Sequence, residues 1–304
     1  MREAIRGYFD AVAESAAADG QVRAAADDLR ALLSAVETSE DLRAALSDPG
    51  HSARSRRAVV SELLAGKVAP ATAALVAYTV EVDRAPEVVA NLSWLATAAS
   101  GAGGAVESDM LGRSASRERI DGYATAVLAP LTGADDLGEV EDDLFRFARV
   151  VEGSEELTAV LTDREVPAER RSALVADLLG SRGHAAFNRL AAYAARYGRP
   201  RDYLATLEWL VDRVAAEANR RVAEVRSAVE LDGDQRRRLG EALSRITGRQ
   251  VELRVSVEGS LLGGFVASVG DTVIDGSARH RLELLKERLS LPNVDLLTGT
   301  GEAS

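Results

Sequence analysis

The sequence has no cysteine, only 4% aromatic residues, three histidines, and two lysines (Lys67 and Lys286) among its 37 basic residues. Without cysteine there are no disulfides and no thiolate metal sites. The near-exclusive use of arginine reads as genome composition rather than function. No apolar run approaches the ~18–20 residues needed to span a bilayer. The first ten residues, Met1 to Asp10, carry both signs of charge and lack a signal-peptide core. These absences predict a cytoplasmic protein that meets a membrane only through a complex. The formal net charge of −11 argues against binding a polyanion or adhering to an anionic lipid surface.

What is present is alanine, leucine and charge. Hydrophobic residues make up 46% and charged residues 28% of 304 positions, a globular composition with room for two or three domains. Alanine and leucine are strong helix formers, and alanine faces let helices approach closely, so helical bundles are expected.

The most informative feature is a repeat at an offset of 115 residues, Ile5 to Ile120. Gly7-Tyr8 recurs as Gly122-Tyr123, Asp27-Asp28-Leu29 as Asp142-Asp143-Leu144, and Ser39-Glu40 as Ser154-Glu155. Tyr78, Arg84 and Trp94 recur as Tyr193, Arg199 and Trp209, with no gap in register. Each copy reads as about six helices. Ile5, Tyr8 and Val12 make one apolar stripe, and Val22, Leu29, Leu32, Leu33 and Val36 a second. Ser39 starts a short third helix that ends near Asp48-Pro49-Gly50. A fourth stops at Gly66, Leu75, Tyr78 and Val82 mark a fifth, and the sixth begins at Pro86.

The last ninety or so residues change period. Ala223 to Leu231 and Val251 to Val257 alternate as strands, around a helix capped by Asp232 or Asp234 and closed by Gly248. Phe265–Val269 and Thr272–Ile274 flank Gly270-Asp271, a two-residue hairpin turn. A final helix carries Leu282, Leu285 and Leu289 and ends at Pro292. The predicted fold is mainly α with a small α+β C-terminal domain: two tandem six-helix bundles followed by a β-hairpin-containing domain. The boundaries are 1–100, a Gly/Ala/Ser linker at 101–115, 116–218, 219–292 and a tail at 293–304.

Val255-Ser256-Val257-Glu258-Gly259-Ser260-Leu261-Leu262-Gly263-Gly264, followed by Gly270-Asp271-Thr272-Val273-Ile274-Asp275-Gly276-Ser277, resembles the C-terminal signature of the delta subunit (oligomycin-sensitivity-conferral protein) family of F-type ATP synthases. Tyr193-x-x-Arg196-x-Gly198-Arg199 and Val225-x-Ser227-Ala228-x-x-Leu231 match the same family in order and spacing, so the resemblance covers about 117–292. Gly259 stands where the family usually has proline, which alters the stiffness of that turn. Arg199, Leu261, Leu262, Gly263, Gly264, Asp275, Gly276 and Ser277 are signature positions. The physical reading of the last of these is structural: Gly263-Gly264 permits positive φ or a close backbone approach, and Asp275-Gly276-Ser277 ends the hairpin and caps the final helix.

The resemblance implies a non-catalytic stator subunit of a peripheral stalk, joining the catalytic head to the b-type stalk and membrane sector and resisting rotor torque, at the cytoplasmic face of the membrane. It implies that the N-terminal helix of an alpha subunit lies in a groove between the first and fifth helices of the six-helix domain. Carried onto this sequence, that groove is Tyr123, Ala126 and Val127 with Leu190, Tyr193 and Ala194; the same six residues read equally well as bundle core. The C-terminal domain would bind b-type stalk subunits. A first helical copy resembles the actinobacterial branch, and is expected to brace the stalk or take a second helix at Tyr8 and Tyr78.

No catalytic, cofactor or metal site is expected. Gly66-Lys67-Val68 lacks the rest of a phosphate-binding loop. His51, His184 and His280 show no ligand spacing and read as surface or loop residues. Asp135-Asp136 and Glu141-Asp142-Asp143 read as helix-start acids, and Arg54, Arg56 and Arg57 as a solvated face. No nucleophile elbow occurs. The reading from another class is an acidic helical adaptor or an RNA-binding, antitermination-type module, which the acidic charge disfavours. An unrecognised enzyme is a third, for which no constellation of residues stands out.

Overall fold

The computed structural model describes residues 2–101, 111–131, 133–219, 222–247, 251–261, 263–269 and 272–278. Leu262, Gly248, the Gly270-Asp271 turn, His280, most of the 101–115 linker, the final helix and the tail lie outside the described residues. Two compact units divide the chain: Met1–Leu131 with Glu139–Asp212, and Thr132–Gly138 with Arg213–Ser304. Both helical repeats contribute most of their length to the first unit.

The first repeat contains α1 (Glu3–Ala18), α2 (Val22–Thr38), α3 (Glu40–Ser47), α4 (Ala53–Leu64), α5 (Pro70–Val82), a 3-10 turn at Ala85–Glu87, and α6 (Val88–Ala99). The sixth helix thus begins two residues beyond Pro86, because Pro86 sits in the 3-10 turn that leads into it. Ile5, Tyr8 and Val12 of α1 join Leu29, Leu32, Val36, Leu75, Val80 and Leu92 in one core. Burial of each large aliphatic side chain contributes roughly 1.5–3 kcal/mol. Ser39 caps α3 as expected, its Oγ accepting the Leu42 N–H at 3.2 Å.

The second repeat follows the first element by element: α7 (Arg113–Leu128), α8 (Ala134–Gly153), α9 (Glu155–Thr162), α10 (Ala168–Leu179), α11 (Ala185–Tyr197), a 3-10 turn at Pro200–Asp202, and α12 (Tyr203–Asn219). Ser154 repeats the Ser39 cap, accepting the Leu157 N–H at 3.3 Å.

Two further polar devices recur at the same offset, and both correct the sequence reading. Asp28 accepts the Ala69 N–H at 3.0 Å, and Asp143 accepts the His184 N–H at 2.7 Å. Ala69 and His184 are the N-cap residues of α5 and α11, so each aspartate serves the start of another helix. Asp135 and Asp136 do lie in the first turn of α8, whereas Asp143 lies well inside it. Partial burial alone would raise the Asp143 pKa; the His184 N–H and the Arg146 guanidinium outweigh it and hold the carboxyl below its ordinary value. His184 is itself a cap, its Nδ1 accepting the Ala186 N–H at 3.1 Å.

The second device is arginine. Arg56 is buried rather than solvated, and its equivalent Arg171 is buried too. Arg56 donates to the carbonyls of His51 at 2.7 Å, Asp83 at 3.3 Å and Val80 at 3.4 Å. Arg171 donates to the carbonyls of Val166, Asp163 and Ala195. A guanidinium with five donors satisfies carbonyls at the end of the fifth helix that the helix itself leaves unpaired. Arg57 pairs on the surface with Glu81.

In the second unit, β1 (Val222–Ser227), β2 (Glu252–Val257), β3 (Phe265–Val269) and β4 (Thr272–Asp275) form one sheet in the order β2-β1-β3-β4. β1 and β2 are parallel, with α13 (Gly233–Thr247) between them in sequence, while β1–β3 and β3–β4 are antiparallel. Val269 pairs with Thr272, leaving two positions between them. Ala223, Val225, Ala267 and Val269 share a core with Leu243 of α13. Asp232 and Gln235 cap α13 reciprocally, the Gln235 N–H donating to Asp232 Oδ1 at 2.8 Å and the Asp232 N–H to Gln235 Oε1 at 3.0 Å.

The first strand ends at Ser227 rather than Leu231. There the backbone turns to other partners: the Glu258 N–H donates to Ser227 O and the Ala228 N–H to Gly264 O. The signature glycines hold this junction. Gly264 has φ +82°, and a Cβ on it would fall 2.3 Å from Gly276 O. The Ala278 N–H donates to Gly263 O at 2.8 Å, and the Ser277 N–H to Asp275 Oδ1 at 2.8 Å.

Two expectations follow from this packing. Gly264→Ala meets both a left-handed φ and a backbone clash, so it should cost about 1–3 kcal/mol and lower hydrogen-exchange protection in β1 and β3 without changing that of α2 and α6. Asp143→Ala and Asp28→Ala should each cost about 1 kcal/mol, a fall in melting temperature of about 2–4 °C. Because the Asp143 pKa is lowered on folding, its contribution is full above the unfolded-chain value and is lost as pH falls through the folded value. Wild type and Asp143→Ala should therefore converge in acid, which calorimetry across pH 2–7 would read.

Candidate docking face of the second repeat

The six residues expected to line a groove come from α7 and α11, which pack side by side. Their apolar spacing places Tyr123 and Val127 on one turn-to-turn face of α7, and Leu190, Tyr193 and Ala194 on the facing side of α11. Tyr123 stacks on Tyr193 with ring centroids 3.6 Å apart and planes 7° apart. The first repeat has the equivalent pair, Tyr8 on Tyr78, at 4.4 Å and 23°.

This face is covered. Tyr123, Val127, Leu190, Tyr193 and Ala194 are all buried, and Ala126 packs against the core of the first repeat. The cover is α1, which crosses α7 with no side chain between the backbones at the crossing. A Cβ on Gly7 would lie 1.8 Å from Arg119 O, and a Cβ on Gly122 would lie 1.8 Å from Ala4 O. Gly7 and Gly122 are repeat equivalents, and so are Ala4 and Arg119. The contact is therefore self-complementary, like a two-fold dimer interface built inside one chain.

Around the crossing, α1 presents carboxylates to α7 and α11. Asp10 accepts from Arg119 Nη2 at 2.9 Å and from the Tyr193 hydroxyl at 2.5 Å. Arg119 also donates Nε to the Tyr193 oxygen at 3.2 Å, lies 3.6 Å from Glu3, and sits over the Tyr197 ring. Glu14 accepts from the Tyr123 hydroxyl and, at 3.2 Å, from Arg189 Nη2, which also donates to Ala11 O. Burial opposes the charge on Arg119, yet Tyr193 and Asp10 raise its pKa above the guanidinium norm. Burial, reinforced by Asp10, pushes the Tyr193 phenol well up, and burial with Glu14 raises Tyr123. Both phenols stay protonated and act as donors. A cavity of about 320 Å³ opens beside Ala13, Arg189 and Arg196.

Asp10, Glu14, Arg119 and Arg189 were not singled out in the sequence. The available signal was Gly7 and Gly122, because a glycine inside a helix costs about 1 kcal/mol relative to alanine and its recurrence marks a close approach. Of the signature positions, Arg199 lies 3.3 Å from Asp202 at the 3-10 turn, and Gly263, Gly264, Asp275, Gly276 and Ser277 meet at the sheet junction. Leu261 precedes that junction, its N–H donating to Glu258 O. Among the described residues no three His, Asp or Glu side chains gather as a metal site, and no helix is long and apolar enough to cross a membrane.

Comparison with known proteins agrees with this architecture. The pattern of the family described as ATP synthase delta (OSCP) subunit matches residues 5–107 and 120–289, two stretches whose starts differ by the repeat offset. The ATP synthase subunit delta of Streptomyces coelicolor is 34% identical over 291 residues, 94% of this chain and 95% of that protein. Those of a Parafrankia species and of Kineococcus radiotolerans are 34% and 35% identical, covering 89% and 87% of this chain and 88% and 87% of their own lengths. The chain belongs to the ATP synthase delta (OSCP) subunit family.

Proposed function

We propose that this chain is the non-catalytic stator subunit of an F-type ATP synthase, a peripheral component at the cytoplasmic face of the membrane that ties the catalytic head to the b-type stalk. Residues 116–218 receive the N-terminal helix of an alpha subunit, 219–292 meet the stalk, and 1–100 form a further helical domain. The observation that carries the reading is the family match across both repeats and the sheet unit. A stator transmits force, so its surfaces must hold partner helices by packing rather than by chemistry. The α7–α11 face supports this role, since it already accommodates an amphipathic helix, with paired arginines and phenols ready to engage its acids. Against an RNA-binding module stands the net charge of −11.

Membranes stripped of this subunit should hydrolyse ATP without pumping protons, and the purified chain should restore ATP-driven acidification. A chain lacking 219–292 should fail to restore it while leaving hydrolysis by the head unchanged. Full recovery of pumping with the shortened chain would refute the stalk assignment.

A further inference from the structure

The two repeats start their fifth helices differently. In the first, Val68-Ala69-Pro70 leads into α5, and Pro70, at the start of the helix, sets its backbone in advance. In the second, Gly183-His184-Ala185 stands at those positions, and a side chain makes the start of α11. The His184 Nδ1 accepts the Ala186 N–H at 3.1 Å. The His184 N–H in turn donates to Asp143 of α8 at 2.7 Å. Gly183 lets the loop close on that carboxylate: its φ is +71°, and a Cβ there would lie 2.6 Å from Asp143 Oδ2. The cap on α11 is therefore an imidazole used as an acceptor.

An imidazole accepts at Nδ1 only while it is neutral; once protonated, both ring nitrogens are donors. It is also the side chain type whose charge ordinarily changes between pH 5 and 8. We propose that His184 is a proton-sensitive latch on α11: neutral, it caps the helix; protonated, it releases the first turn and loosens the second repeat's hold on α1. Protonation leaves the Ala186 N–H without its acceptor and puts a positive charge at the positive end of a helix. The charged groups that meet His184 come from α8: Asp143, with Arg146 donating to it at 2.6 Å and Asp142 acting on Arg146. Arg182 lies two residues before it in the chain. Asp143 keeps its charge through this window, because its carboxyl is held below the ordinary value. It attracts the imidazolium, and a ring that turns to it gives up Ala186. Charged groups on α10, α7 and α1 engage α11 farther along: Glu169 with Arg196, Arg171 with Ala195 O, Arg119 with Tyr193 and Glu14 with Arg189.

The first turn of α11 carries weight in both directions. Ala186 and Phe187 are buried, and the Phe187 ring meets Phe147 of α8 edge-on at 5.8 Å. One turn on, Arg189 donates to Glu14 and to Ala11 O of α1, both at 3.2 Å. Slack at the start of α11 therefore reaches the contact between the repeats through Arg189.

Hydrogen exchange of the full chain at pH 8 and pH 5.5, corrected for intrinsic rates, reads the latch. Protection of the amides at 185–187 should fall about fivefold or more in acid, as the loss of a cap requires, and protection across α1 should fall with it. The amides at 71–73, at the start of α5, should hold theirs. His184→Asn keeps a capping oxygen that does not titrate, so it should hold its protection at both pH values. His184→Ala should show the low protection at both. Ring nitrogen-15 resonances of the wild-type chain give a readout independent of the variants: protonation of the His184 Nδ1 should track the loss of protection at 185–187. Unchanged protection at 185–187, a fall shared by 71–73, or an equal fall in His184→Asn would overturn the latch. A fall at 185–187 with α1 unmoved would overturn its reach to the contact between the repeats.

Discussion

Two backbones meet at Gly7 and Gly122, and the organisation of the helical unit depends on that approach. A Cβ at either position would overlap a carbonyl oxygen of the opposing helix, so any larger residue forces the repeats apart. Glycine weakens each helix by about 1 kcal/mol relative to alanine. The approach it permits brings Asp10 and Glu14 within hydrogen-bonding distance of α7 and α11 and covers the second repeat's stacked tyrosines. Because the contact involves equivalent residues from both repeats, duplication produced an interface that serves both partners at once.

Several of the polar groups buried around this interface are satisfied in sets, while Arg6 Nε and Arg189 Nε find no acceptor among the described residues. Arg119 alone meets Asp10, Glu3, Tyr193 and the face of Tyr197, an arrangement in which the guanidinium is held by charge, hydrogen bond and ring. Within each bundle, Asp28 or Asp143 secures the start of the fifth helix and Arg56 or Arg171 its end. These fastenings act on backbone groups, so they position helices without requiring large side chains in an alanine-rich core. A subunit that resists torque benefits from such stiffness, because load passes along helices whose ends are tied down.

Much of this organisation was legible in the sequence. The offset of 115 residues, the helical stripes, the Ser39 and Ser154 caps, the Asp232 start of α13 and the sheet with its hairpin all rest on local rules of period and capping. The misread residues share one property: their partners are far away in sequence. Arg56 looked solvated because three arginines cluster locally, yet its acceptors include carbonyls at 80 and 83. Asp143 looked like a helix-start acid, yet it serves the N–H of residue 184. The alternation through Leu231 continued past the real strand end because its stop is set by hydrogen bonds to residues 258 and 264.

The sequence by itself determined the two-fold repetition, the helical class, the mixed terminal unit and the family, since each is written in residue order and spacing. Only the tertiary structure decided that the stacked tyrosines of the second repeat are covered by the first helix of the chain. That outcome depends on surfaces of two bundles matching after each has folded, with one glycine against another and acids against arginines. Period and propensity describe how a helix faces its own bundle; they carry no information about which second bundle its outer face will meet.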